Sequence, residues 1–156
     1  MAVLAGGCNS TPQPAPPIKL SPSPSADPKA KVEADYLAYW SALKAAHEAS
    51  NPSYPDLRKH ATGKGLKDSA DAVDSLHSVD MVLRGTVAHT IDIASVSDTT
   101  AIVHDCLDTR GWNYYDTKTN KLHRPQPAKV KLKSDYELQL SNGTWMVTAI
   151  RPNGHC

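Results

Sequence analysis

Between residues 128 and 141, apolar and polar side chains alternate. Val130, Leu132, Tyr136, Leu138 and Leu140 take even positions, and Lys129, Lys131, Lys133, Asp135, Glu137 and Gln139 take odd ones. Such period-2 patterning puts one set on each face of a strand. Ser134 is the only polar residue on the apolar face. Asn142 and Gly143 tolerate the positive φ of a type I′ turn, and residues 144–150 return as the partner strand. A hairpin with one apolar face is not stable alone in water. The pattern therefore expects Leu132 and its even-numbered neighbours to be covered, with Lys131, Lys133 and Glu137 exposed.

The preceding chain supplies the cover. Asp27 and Pro28 suit an N-cap and the first helical position. Val32, Tyr36, Tyr39, Trp40, Leu43 and Ala46 then recur at helical spacing to about residue 49, before Asn51-Pro52 stops the helix. Residues 56–61 predict a short second helix, and 64–77 a third with Leu66, Ala70, Val73 and Leu76 inward. Asp68, Asp71 and Asp74 read as a solvated face of that third helix rather than a cation site. From Met81 the period changes to 2. Residues 81–93 read as one strand with Gly85 marking a bulge or bend, 100–108 as its return after Ser97-Asp98, and 112–116 as another short strand. A Pro-broken loop runs through Pro127. The resulting fold class is α+β: three N-terminal helices packed on a curved antiparallel sheet of four or more strands.

At 156 residues and 40% apolar, the chain has material for one domain with a core. A net charge of +1 argues against a dedicated nucleic-acid binder. No apolar run of about 18 residues is present to form a transmembrane helix.

The N-terminal stretch Leu4-Ala5-Gly6-Gly7-Cys8 resembles the lipobox of bacterial lipoproteins, in which the cysteine is diacylated and, after cleavage, N-terminal. Ala5 stands where a large apolar residue is usual, and residues 1–8 read as the remnant of a lipoprotein signal. Residues 9–27 hold six prolines among Ser, Thr, Gln and Ala, the composition of an extended, disordered linker. At about 3.1 Å per residue it could hold a domain up to roughly 60 Å from its anchor. Residues 28–156 form the single domain.

Within that domain, three groups of residues resemble the nuclear-transport-factor-2-like superfamily, in particular its secreted or lipoprotein actinobacterial members. They are the helix 36–40 (Tyr-Leu-Ala-Tyr-Trp), the helix end Ala61-Thr62-Gly63, and the strand 101–108 containing His104, Asp105 and Cys106. Trp145-Met146-Val147 and Gly154-His155-Cys156 complete the set. The resemblance implies a cystatin-like cone, a curved sheet around a pocket that the first helix partly closes. Tyr36, Tyr39, Trp40, Asp105, Trp112 and Tyr136 are the candidate pocket residues.

Of the three cysteines, Cys8 lies in the N-terminal stretch, whereas Cys106 and Cys156 lie in or beside sheet sequence. Pairing Cys106 with Cys156 is the simplest reading, and it suits an oxidising compartment. Seven scattered histidines show no HExxH or paired-Cys spacing, so no metal or other cofactor is expected. A ketosteroid-isomerase-type site would take Tyr36 or Tyr39 as donor and Asp105 as a protonated acid, but no persuasive base appears. His104 and Asp105 are adjacent on a strand and point to opposite faces. Lys118, Lys121, Arg124, Lys129, Lys131 and Lys133 form a basic row, read either as a solvated sheet face or as a patch for anionic lipid headgroups or wall polymers.

The reading that follows is an exported bacterial lipoprotein, held to the outer face of the cell membrane by a lipid (palmitate-type) anchor on Cys8. Its domain, a monomer or homodimer, binds non-catalytically, either a small apolar ligand in the cone or an envelope partner. The alternative is a small isomerase or lyase of the ketosteroid-isomerase or polyketide-cyclase type.

Overall fold

Asp27 caps the first helix as its position suggests: its carboxylate accepts the Lys29 backbone N–H at 2.9 Å, and Pro28 occupies the first turn. The computed structural model, which describes residues 27–123 and 131–156, is α+β. Three helices, α1 (Pro28–Glu48), α2 (Leu57–His60) and α3 (Gly63–His77), precede six strands. These are β1 (Met81–Gly85), β2 (Ala88–Val96), β3 (Thr100–Asp108), β4 (Trp112–Asp116), β5 (Leu132–Ser141) and β6 (Thr144–His155). Cys8, residues 9–26, Arg124, Lys129 and Val130 lie outside the described residues.

The strands form two antiparallel sheets rather than one, a four-stranded sheet ordered β2-β3-β5-β6 and a β1-β4 ribbon. The expected single strand over 81–93 divides after Gly85. That residue has φ +113°, and a Cβ there would lie 2.1 Å from the Gly111 carbonyl oxygen, so the crossing needs glycine. The next residue, Thr86, donates its N–H to the same carbonyl at 3.0 Å.

Asn142 and Gly143 both have positive φ, 49° and 80°, as the β5-β6 turn requires. Ser134, Tyr136 and Leu138 are buried on one face of β5, and Leu140 is half-buried. Leu132 departs from the expected alternation and is 39% exposed. It is the first residue of β5, and the ladder to β6 shifts between Leu132 and Ser134. A bulge re-aims the side chain beside it, so the inner face begins only at Ser134. Lys131 and Lys133 are exposed as expected, whereas Glu137 is partly covered and pairs with Arg151 at 2.5 Å.

β6 runs past the expected end at residue 150, through Pro152 to His155. It is the last strand of its sheet, where a residue lacking an N–H can sit without breaking a ladder on both sides. Its outer edge is closed by the helices. Asp35 of α1 accepts the Trp145 N–H at 2.8 Å, and Thr62 donates its N–H to the Val147 carbonyl at 2.9 Å. Gly65 lets α3 approach that carbonyl, since a Cβ there would stand 2.7 Å from the oxygen. In consequence α3 buries Gly65, Ser69 and Val73, while Leu66, Ala70 and Leu76 are only half-buried. The helix is rolled slightly from the expected face. Asp68 and Asp71 pair with Lys64 and Lys67 at i,i+4 on its solvent side.

Candidate functional site

Helical spacing places Tyr36, Tyr39 and Trp40 on one stripe of α1, facing the sheet. Opposite them, the odd residues of β3 point inward, which brings Asp105 under the helix with 0% exposure. The same parity on β2 turns His89 inward beside it, and the even residues of β5 add Ser134 and Tyr136. Trp112 of β4 closes the group, its ring 6.0 Å from that of Trp40. The structure thus gathers all six candidate pocket residues into one cluster. Tyr36, Tyr39, Trp40, Asp105 and Tyr136 are buried in it, and Trp112 half-buried.

A directed chain of hydrogen bonds runs through the cluster. Trp40 Nε1 donates to the Tyr36 hydroxyl oxygen at 2.7 Å, and Tyr36 donates to Asp105 Oδ2 at 2.8 Å. The Thr90 backbone N–H donates to Asp105 Oδ1 at 3.0 Å. His89 Nδ1 lies 2.6 Å from Asp105 Oδ2. His89 thus meets the carboxylate through Nδ1, with Nε2 on the other side of the ring. The imidazole is 14% exposed and packs edge-on against Trp40 with centroids 5.0 Å apart.

The hydroxyl protons decide what this arrangement can do. Burial pushes the Tyr36 hydroxyl far above the ordinary tyrosine value, reinforced by Tyr136 and Asp105, so it stays a neutral donor. Burial raises Tyr39 and Tyr136 as well. The Tyr36 proton is directed at Asp105. The Tyr39 hydroxyl lies 2.8 Å from Ser69 Oγ, and Ser69 itself donates to the Gly65 carbonyl at 2.7 Å. Tyr39 is therefore the donor in that pair. Both tyrosines of α1 thus direct their hydroxyl protons to protein groups, Tyr36 to Asp105 and Tyr39 to Ser69.

Sequence reasoning missed His89, Thr90 and Ser69. The first was within reach, because His89, Ile91 and Ile93 share one parity of β2. His104 faces the other side of the sheet, where its Nδ1 lies 2.7 Å from Asp135 Oδ1.

Cys106 and Cys156 are bonded, with Cα atoms 6.0 Å apart. The basic row divides between the two sheets. Lys118, just after β4, pairs with Asp80 in front of β1, and Lys121 follows it in the same segment. Lys131 and Lys133 lie at the start of β5, with Lys133 opposite Cys106 in the ladder.

No family model matches the chain, and no curated protein matches it in sequence. Solved structures do. The intermembrane space region of the chloroplast protein ARC6 is 18% identical and superposes with a TM-score of 0.55 over 84% of this chain and 99% of that one. The Kfla4162 protein from Kribbella flavida is 10% identical, with a TM-score of 0.57 over 82% of this chain and 93% of its own. An NTF-2-like protein of unknown function from Shewanella oneidensis, 11% identical, covers 77% of this chain and 97% of its own at a lower TM-score of 0.46. At such identities the likeness concerns the fold alone. The shared architecture is α+β, in the order that the resemblance implies: three helices lead into antiparallel strands, and the long first helix packs across the inner face of the sheet.

Proposed function

We propose that this chain is an exported envelope lipoprotein whose domain serves a non-catalytic binding role, its partner docking on the outer surface rather than inside. The observation that supports the non-catalytic part is the hydrogen bonding of the aromatic cluster, in which Tyr36 and Tyr39 both direct their protons to buried protein groups. A Cys106–Cys156 bond persists in an oxidising compartment, which supports export. The lipobox-like run to Cys8 and the proline-rich stretch after it support a tethered position at the membrane. Expressed with its natural leader, the protein should partition with membranes, and Cys8→Ser should release it. Native mass spectrometry of the membrane-extracted protein should find lipid and disulfide but no retained small molecule. A co-purified apolar ligand would transfer the binding role to the interior.

The isomerase or lyase reading draws on one observation, the partly exposed His89 held by Asp105. There, His89 Nε2 would be the base. It predicts solvent-deuterium exchange at carbons beside a carbonyl, lost in His89→Gln.

A further inference from the structure

On the face of the sheet opposite the aromatic cluster, a cavity of about 360 Å³ opens onto the Cys106–Cys156 disulfide. Lys133, His104 and His155 line it with both cysteines, and the acids among its walls are Asp92, the ladder partner of His104, and Asp105. Asp135, which holds His104, is shared with the Asn153 amide at 3.0 Å. Lys133 stands directly opposite Cys106 in the β3-β5 ladder, on the same face. The two sulfur-bearing residues differ in access: Cys156 is exposed and Cys106 half-buried.

We infer that this cavity is a thiol–disulfide exchange site, at which an external dithiol attacks Cys156. Attack needs access to one sulfur and a good leaving thiolate on the other. The exposed Cys156 offers the first. Lys133, which lines the same cavity across the ladder from Cys106, offers the second, because a neighbouring cation stabilises a thiolate. A thiolate of the dithiol bonds to Cys156 Sγ, the bond between the two protein sulfurs breaks, and Cys106 leaves as a thiolate. The second thiolate of the reductant then attacks its own sulfur in the mixed disulfide and releases Cys156. Two electrons pass from the dithiol to the protein, the dithiol closes to its disulfide, and its two protons end on Cys106 and Cys156. A buried structural disulfide would have neither the opening nor the cation. The inference does not depend on the membrane tether.

The test uses the full chain carrying Cys8→Ser, which leaves Cys106 and Cys156 as its cysteines. Under native conditions, dithiothreitol should reduce the bond at least about ten-fold faster than the chain unfolds globally. Glutathione, a monothiol, should be found on Cys156 once the freed Cys106 thiolate is alkylated to prevent its return, as read by peptide mass mapping. Lys133→Gln should slow reduction by about three-fold or more, through the poorer leaving group. Reduction no faster than unfolding, an adduct on Cys106, or an unchanged rate in Lys133→Gln would each overturn the assignment.

Discussion

The Tyr36 hydroxyl meets the Asp105 carboxylate at 2.8 Å across a sequence separation of 69 residues, with both side chains fully buried. One oxygen joins α1 to β3, since Tyr36 also accepts from Trp40. Removing it leaves the Trp40 indole N–H without its acceptor and takes one partner from Asp105, which keeps His89 and the Thr90 amide. Tyr36→Phe should therefore cost roughly 2–4 kcal/mol, at about 1–3 kcal/mol for the unsatisfied indole and about 1 kcal/mol for the lost bond to Asp105. Tyr39→Phe removes a single bond, to a serine that keeps its own acceptor at Gly65, and should cost about 1 kcal/mol. Urea unfolding of the two variants checks the contrast. Equal costs would mean that the Trp40–Tyr36–Asp105 chain does not hold the helix on the sheet.

The inner face of β5 gives a second prediction. Leu138 is 1% exposed and Leu132 39%. Leu138→Ala should cost about 2–5 kcal/mol, as for a buried leucine. Leu132→Ala should cost well below that range, and Lys131→Ala should stay within about 0.5 kcal/mol. If Leu132→Ala proves as damaging as Leu138→Ala, the bulge does not turn Leu132 outward in solution.

These contrasts also show what could be read before the structure. The hairpin turn, the bounds of β3 and β4 and the parity of β5 from Ser134 onward were legible, because each depends on local rules: alternation, turn chemistry and helix caps. The division of the strands into two sheets was not. Gly85 announced a bend, but only its contact with Gly111, distant in sequence, shows that the bend separates two sheets. The six candidate residues were legible as an inward group, yet the direction of their hydroxyl protons was not, since that depends on partners distant in sequence. His89 is not legible from one strand over residues 81–93, because the division after Gly85 is what sets the inward parity of β2.

Gly65 tests the helix docking. A methyl group there would stand 2.7 Å from the Val147 carbonyl oxygen, and 3.0 Å from the carbonyl carbon of Thr148. These are backbone atoms and cannot swing aside. Although alanine favours helix, Gly65→Ala should destabilise the domain by about 1–3 kcal/mol, as overpacking does. Backbone hydrogen exchange should report the loss first at the Thr62 amide, which donates to Val147. A stabilised variant would show that α3 has slack against β6.

The last prediction concerns acid. His47, in the last turn of α1, is 4% exposed, packs perpendicular to Trp112 with centroids 5.0 Å apart, and leaves its Nδ1 without a hydrogen bond. Burial lowers it from 6.5 to about 4. The unfolded chain thus takes up this proton near pH 6.5, and the folded chain only near pH 4. Between those values the unfolded state binds more protons, so stability rises with pH. The contribution is complete above pH 6.5 and is lost as the pH falls toward about 4, a change on the order of 3 kcal/mol. Other titrating groups add their own slopes, so the informative quantity is a difference. Urea unfolding of the wild type and of His47→Leu, from pH 7 to pH 4, should show wild-type stability falling more steeply across that window. Leucine cannot charge, and its variant should keep only the slope of the remaining groups. Parallel curves would mean that the folded protein protonates His47 without cost, through water or a rearranged helix end.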